Sequence, residues 1–224
     1  MPNPTLPPAL FRFLRELKAD NTSEWFQANK ARFEGEVREP LLAFIGAFGE
    51  PLAGISRHLE ANPSRAGGSM FRINRDIRFS RDKSPYKTNV GAQFRHASCT
   101  KDVHGPAFYL HLEPGGCFAG AGMWHPEPEA LKRVRDHLVA HAAAWKALRA
   151  KGIEVQGESL ARVPQGFDPT HPLAAELKRK DFYTVTAFTE RQVCASGFLE
   201  AYAEYCRQQV PLMKFLAKAL ELPF

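Results

Sequence analysis

Two short runs, "FYLHL" (108–112) and "CFAGAGMW" (117–124), separated by "EPGG" (113–116), decide the fold. Each is strand-length and rich in apolar or aromatic residues, and the Pro-Gly-Gly punctuation between them marks a tight turn. The pair therefore reads as an antiparallel hairpin around Pro114 to Gly116. Working outward, "NVGAQFRH" (89–96) predicts a further strand upstream, and "FYTVTAF" (182–188) a late one downstream. "FRINRDIRF" (71–79) alternates as well. As a strand it carries Phe71, Ile73, Arg75, Ile77 and Phe79 on one face and Arg72, Asn74, Asp76 and Arg78 on the other.

Helices bracket these strands. Residues 7–19 space Leu10, Phe13, Leu14 and Leu17 as a helix does, and "DNTSEWF" supplies a stop and a restart with Asn21, Thr22 or Ser23 as N-cap. The second helix is expected to run to about Arg38 and stop before Pro40, with a third from 40 to about 54. In "HPEPEALKRVRDHLVAHAAAWKALRA" (125–150), Leu131, Val134, Leu138, Trp145 and Leu148 form one apolar stripe, and 196–221 closes the chain as a helix kinked at Pro211. "LEANPSRAGGS" (59–69) is a loop. The expectation is a single-domain α+β protein, with a central antiparallel or mixed sheet flanked by N-terminal, middle and C-terminal helices.

Composition narrows the function classes. With 224 residues, 44% of them hydrophobic, the chain can bury a substantial core. No segment has the 18 or more apolar residues of a membrane span, and "MPNPTLPPALF" lacks the form of a secretory signal. Cys99, Cys117, Cys194 and Cys206 show no CxxC spacing, so reduced thiols and a cytoplasmic location are expected. "GGCFAGAG" opens no helix and lacks GxGxxG, which removes a dinucleotide fingerprint; no cofactor is implied. Cys117 reads as a structural thiol, not a nucleophile. His137 and His141 lack the glutamate of HExxH and read as helix-face residues, with His141 extending the apolar stripe. His111, Glu113 and His125 bracket the hairpin and could meet in space, but neighbouring strands bring such residues together without a metal more often than with one.

Charge singles out one segment. The net charge is +6, and between Arg65 and Lys101 nine Lys or Arg face two acids, Asp76 and Asp82, whereas the rest of the chain holds 21 bases and 22 acids. All of the excess positive charge lies there. At its centre is "RDIRFSRDKSPYKTN" (75–89), in which Asp82 and Ser84 favour a turn and Pro85 fixes φ. If Arg75 lies in an apolar strand face, a carboxylate or a bound anion must meet it.

These residues also carry a resemblance. "RINRDIRFSRDKSPYKTN", with "NTSEWFQANKARFE" upstream and "GAGMWHPEPEALKRVRDHL" downstream, resembles the family catalogued as domain of unknown function 2461, found in bacteria and fungi. The likeness covers nearly the whole chain. It implies a cytoplasmic protein, brings no established activity, and marks Arg72, Arg75, Asp76, Arg78, Phe79, Ser80, Asp82, Lys83, Pro85, Tyr86 and Lys87 as signature positions without assigning a catalytic role to any.

Three readings of the cluster compete. In the first it is an internal salt-bridge network, although two acids cannot satisfy the six bases from Arg72 to Lys87 unless distant carboxylates join. In the second it binds an anionic, phosphate-bearing small molecule through Arg72, Arg75, Arg78, Ser80, Lys83 and Lys87. In the third it binds nucleic acid, with Tyr86, Phe94 or Trp124 stacking bases, though no recognised nucleic-acid motif accompanies it. The second is favoured. An enzyme built on it would use hydrolysis or transfer, with Asp76 or Asp82 as general base or metal ligand and Tyr86 as proton donor. The three arginines are expected to converge on one concavity.

Overall fold

The computed structural model describes residues 4–78, 82–99 and 105–224. The chain opens with helix α1 (Pro8–Ala19), which has proline at its first position, where no N–H is needed, and buries Leu10, Phe11, Phe13, Leu14 and Leu17. Thr22 is the N-cap of α2 (Ser23–Ala28), accepting from the Trp25 amide at 3.2 Å. After Asn29 the helix resumes as α3 (Lys30–Arg32), a π-helical segment (Phe33–Arg38) and α4 (Glu39–Ile55).

The expected break before Pro40 does not occur. Proline lacks an N–H and crowds the carbonyl four residues back, and both conflicts are absorbed by the wider π turn, in which the Glu39 amide reaches the Glu34 carbonyl. The helix thereby passes Pro40 and delivers Phe44, Ile45 and Phe48 to the core.

The sheet is an antiparallel meander, β1 (Val90–Arg95), β2 (Ala107–Leu112), β3 (Cys117–Met123) and β4 (Phe182–Phe188), in spatial order β1-β2-β3-β4. The β2–β3 hairpin turns through Glu113–Gly116, as its sequence requires. Register places Val90, Ala92 and Phe94 opposite Leu112, Leu110 and Phe108, with Ala119 and Ala121 alongside. This face is buried under α1, α4 and α9 (Phe198–Gln208): Phe48 contacts Phe94 at 4.7 Å and Tyr202 at 4.9 Å between ring centroids.

A second apolar cluster joins the end of the sheet at Met123 and Phe182 to α5 (Pro128–Ala140), α6 (Ala142–Ala150), α7 (Ala174–Leu177) and α10 (Val210–Ala219). The stripe expected to form one helix is divided at His141, whose extended φ of −126° breaks it; His141 is exposed and does not extend the stripe, while Trp145 remains fully buried. A short helix α8 (Glu190–Val193), with a Thr189 capping box, leads into α9, and Gln209 separates α9 from α10 just before Pro211. Among the described residues no helix is long and apolar enough to cross a membrane.

The clearest departure from expectation is residues 71–78, which form no strand. Pairing begins, with Met70 bridging Ala92 and the Phe71 amide donating to the Gly91 carbonyl at 3.0 Å, and then stops. Beyond it the segment folds onto its own loop: the Arg75 amide donates to the Pro85 carbonyl and the Lys87 amide to the Ile73 carbonyl, with Asn74 bridging Tyr86. Aspartate side chains compete with any ladder, since Asp76 takes the Arg78 amide and Asp82 the Ser84 amide. The alternation survives only as far as buried Ile73; Ile77, placed on the apolar face by its spacing, is 38% exposed.

Candidate functional site

The charged motif is held to the body of the protein by an amide clamp. Asn21, in the α1–α2 junction, accepts from the Tyr86 amide through Oδ1 at 3.1 Å and donates from Nδ2 to the Tyr86 carbonyl at 3.0 Å, imitating a strand partner. The Tyr86 ring, 5% exposed, stacks on Phe26 at 4.1 Å between centroids. The ring of Tyr86 thus lies in the aromatic core among α1 and α2 residues.

The motif's charges are largely used among themselves. Asp76 forks onto Arg78, at 2.6 Å to Nη2 and 3.0 Å to Nε, and this pairing, led by the side-chain hydrogen bond, holds the Asp76 carboxyl well below the usual range. Asp82 accepts from the Ser84 amide and hydroxyl and from Arg75 Nη1 at 2.6 Å; the Ser84 bonds are the main cause of its lowered pKa. A carboxylate of its own loop thus meets Arg75, although the strand face on which that expectation rested does not form and Arg75 Nε is buried without a hydrogen-bond partner among the described residues. Lys83 Nζ donates to the Ile77 carbonyl at 2.9 Å and Lys87 Nζ to the Arg72 carbonyl at 3.1 Å. Lys87 also lies 5.5 Å from the centre of the Phe71 ring, and burial, with Arg72 and Arg75 nearby, lowers the pKa of its ammonium group. Arg65, upstream of the six bases from Arg72 to Lys87, pairs with Glu34 at 2.7 Å and with Glu39, whereas the ion pairs of Arg75 and Arg78 draw only on the motif's own Asp82 and Asp76. Phe79 and Ser80 lie outside the described residues.

Two guanidinium groups form no ion pair of this network, although Arg72 lies near enough to Asp76 to help lower its pKa. A hollow of about 290 Å³ opens beside β1, lined by residues 67–72 and by Gln93 and Arg95. Arg72 enters from the motif and Arg95 from the end of β1, on the sheet face opposite the helices. Neither makes an ion pair or a side-chain hydrogen bond among the described residues. Gly67, at φ +70°, makes the turn that forms one wall, and Ser69 ties that wall to β1 by accepting from the Gln93 amide at 2.9 Å. Of the three arginines expected to converge, Arg72 alone lines this hollow. Arg78 is turned to solvent with its side chain 75% exposed, and Arg75 is bound to Asp82. Arg95 was legible as one of the nine bases, and the alternation of β1 puts it two residues from Gln93 on the same face; only the fold brings it beside Arg72.

The same sheet face carries a polar chain formed by alternate residues of β2 and the first residue of the turn that follows it. Tyr109 Oη lies 2.9 Å from His111 Nδ1, and His111 Nε2 lies 3.3 Å from Glu113 Oε2. The carboxylate selects the tautomer with Nε2–H, which leaves Nδ1 to accept the phenol proton. Burial first, and Glu113 second, push the Tyr109 hydroxyl up to about 12. The spacing of these three residues is visible in "YLHLE", but Tyr109 carries no signal on its own. His125 does not join them: it sits at φ +48° beyond β3, its amide and Nδ1 directed to buried Asp181 at 2.7 and 3.2 Å. Cys117 is buried, its thiol donating to the Glu113 carbonyl at 3.3 Å and pushed up to about 11 by burial. No group of three or more His, Cys, Asp or Glu is placed to hold a metal ion among the described residues.

Fold and site together define an α+β protein with a four-stranded antiparallel sheet, a self-paired charged loop and a basic hollow at the edge of β1. Residues 9–215 match the family described as "Conserved hypothetical protein (DUF2461)", and the chain belongs to it. Neither the curated proteins nor the solved structures yield a match.

Proposed function

We propose that the hollow beside β1 binds a small anionic ligand, with Arg72 and Arg95 as the groups that neutralise it. The observation that carries this reading is the presence of two guanidinium groups in one concavity with no carboxylate among the described residues in an ion pair with either. Arginine is suited to the task because its planar fork matches carboxylate and phosphate oxygens. At about 290 Å³ the hollow is at the small end of ligand sites, which favours a compact molecule such as a phosphate ester over a polymer. The rest of the motif reads as the internal network, supported by the Arg75–Asp82 and Arg78–Asp76 pairs. On this reading Asp76, Asp82, Lys83, Lys87 and Tyr86 shape the loop that presents Arg72.

The test is a thermal-shift titration with inorganic phosphate, sulfate, alkyl phosphates and dicarboxylates at constant ionic strength. A ligand at a hundredfold excess over its Kd stabilises the folded state by ~2.7 kcal/mol, a rise of roughly 5–10 °C for a chain of this length. Arg72→Ala and Arg95→Ala are each expected to abolish the rise, and Arg78→Ala to leave it. If none of these anions gives a saturable shift, the reading fails.

A further inference from the structure

Beside Arg95 the hollow continues into a recess that shares residues 67–69 and Arg95 and adds Glu60 and Asn62. The backbone fixes Glu60 there. Leu59 bridges His96, the Glu60 amide donates to the Arg95 carbonyl at 3.0 Å, and Ser69, 8% exposed, donates from its hydroxyl to the Glu60 carbonyl at 3.3 Å and accepts from the Asn62 amide at 2.9 Å. A carboxylate is thus held next to an arginine on a stapled frame, and yet Glu60 forms no ion pair with Arg95 or Arg72 among the described residues. Neighbouring opposite charges elsewhere form ion pairs, as in Arg75–Asp82, Arg78–Asp76 and Arg65–Glu34. Here Glu60 lines a small recess of about 10 Å³, room for one water-sized group, that adjoins the hollow through residues 67–69 and Arg95.

We infer that the ligand is a small zwitterion: an anionic head, carboxylate or phosphate, taken by Arg72 and Arg95, and a protonated primary amine taken by Glu60. This rests on the anion reading of the hollow. A simple dianion is poorly matched to such a depression, because Glu60 repels it, whereas an amino-bearing anion satisfies both signs at once. Asn62 lines the same recess as Glu60, with its Oδ1 already accepting from the Ser64 amide at 2.9 Å.

The experiment compares two probes of similar size by calorimetric titration, O-phosphoethanolamine and n-propyl phosphate, against the wild-type chain, Glu60→Gln and Arg95→Ala. Phosphoethanolamine carries less net negative charge, so the arginines alone make it the weaker ligand. The inference expects it instead to bind about tenfold more tightly than propyl phosphate, the scale of one charge-assisted hydrogen bond. Glu60→Gln should erase that advantage while keeping or improving propyl phosphate binding, and Arg95→Ala should weaken both probes. The Glu60 side chain is exposed and makes no bond among the described residues, so the unliganded Glu60→Gln chain should melt as the wild type does. Propyl phosphate binding as well as or better than phosphoethanolamine would overturn the zwitterion inference and leave the anion site standing. A preference for phosphoethanolamine that persists in Glu60→Gln would remove Glu60 from it. If neither probe binds the wild type, the anion reading itself falls and the inference falls with it.

Discussion

Asn21→Ala isolates the contact that fixes the charged motif to the helical layer. The substitution removes two hydrogen bonds to the Tyr86 backbone, at 3.1 and 3.0 Å, each worth about 1 kcal/mol net when formed. The penalty for stranding the Tyr86 amide and carbonyl comes on top, but Asn21 is only half-buried, so water can enter the space vacated by the side chain and hold that penalty low. The expected loss is ~2 kcal/mol, which for a chain of this length lowers Tm by roughly 4–8 °C. Equilibrium unfolding in urea should show a lower midpoint at unchanged slope, because the stacking of Tyr86 on Phe26 keeps the segment in place. Asn21→Asp is the informative control: it can still accept from the amide but sets a carboxylate against the carbonyl, so it should recover less than half of the loss. A change below about 0.5 kcal/mol for Asn21→Ala would refute the clamp and leave the ring stack as the whole anchor.

Two further outcomes follow from the motif and from β2. Asp76 and Asp82 are held below their ordinary value of 3.8, chiefly by Arg78 and by Ser84 respectively. The stability they contribute is therefore fully present above about pH 4 and is lost as pH falls through their lowered values; carboxyl NMR titration should give both midpoints under 3.8, and Arg78→Ala should raise that of Asp76. Gly91→Ala is expected to destabilise by ~2 kcal/mol, because an added Cβ would lie 2.7 Å from the Leu110 carbonyl and 2.8 Å from the Tyr109 hydroxyl. The ring-nitrogen shifts of His111 should change with it, and unchanged shifts would show that the Tyr109–His111 contact survives.

Much of the fold could be read locally. The turn at 113–116, the apolar runs of β1 to β4 and the spacing in α1 each carry their own signal, because side-chain periodicity answers to one neighbouring layer. What failed was decided elsewhere in the chain. Residues 71–78 have the alternation of a strand, but the backbone partners available past Gly91 belong to their own loop, and two aspartates take amides that a ladder would need. Pro40 has the chemistry of a stop, and a π turn in front of it removes the clash. The candidate site divides in the same way: Arg72 was legible from charge density, whereas Arg95 and Glu60 reach the hollow only through the pairing of β1 with residues 59–60 and 69–71.

The order of the sheet also sets the order in which it can assemble. β2 and β3 are joined by the four residues 113–116, but β3 and β4 are separated by the 58 residues from 124 to 181, which include α5, α6 and α7. Closing the longer connection spans nearly four doublings of loop length, at ~0.6 kcal/mol each, so pairing β4 costs ~2 kcal/mol more chain entropy than closing the hairpin. Contacts of such long range delay the transition state, and the hairpin, needing only a tight turn, forms on a microsecond scale. β4 is therefore the last strand to join, and until it does the open edge of β3 from Cys117 to Met123 offers unpaired amides and carbonyls to any other chain in solution.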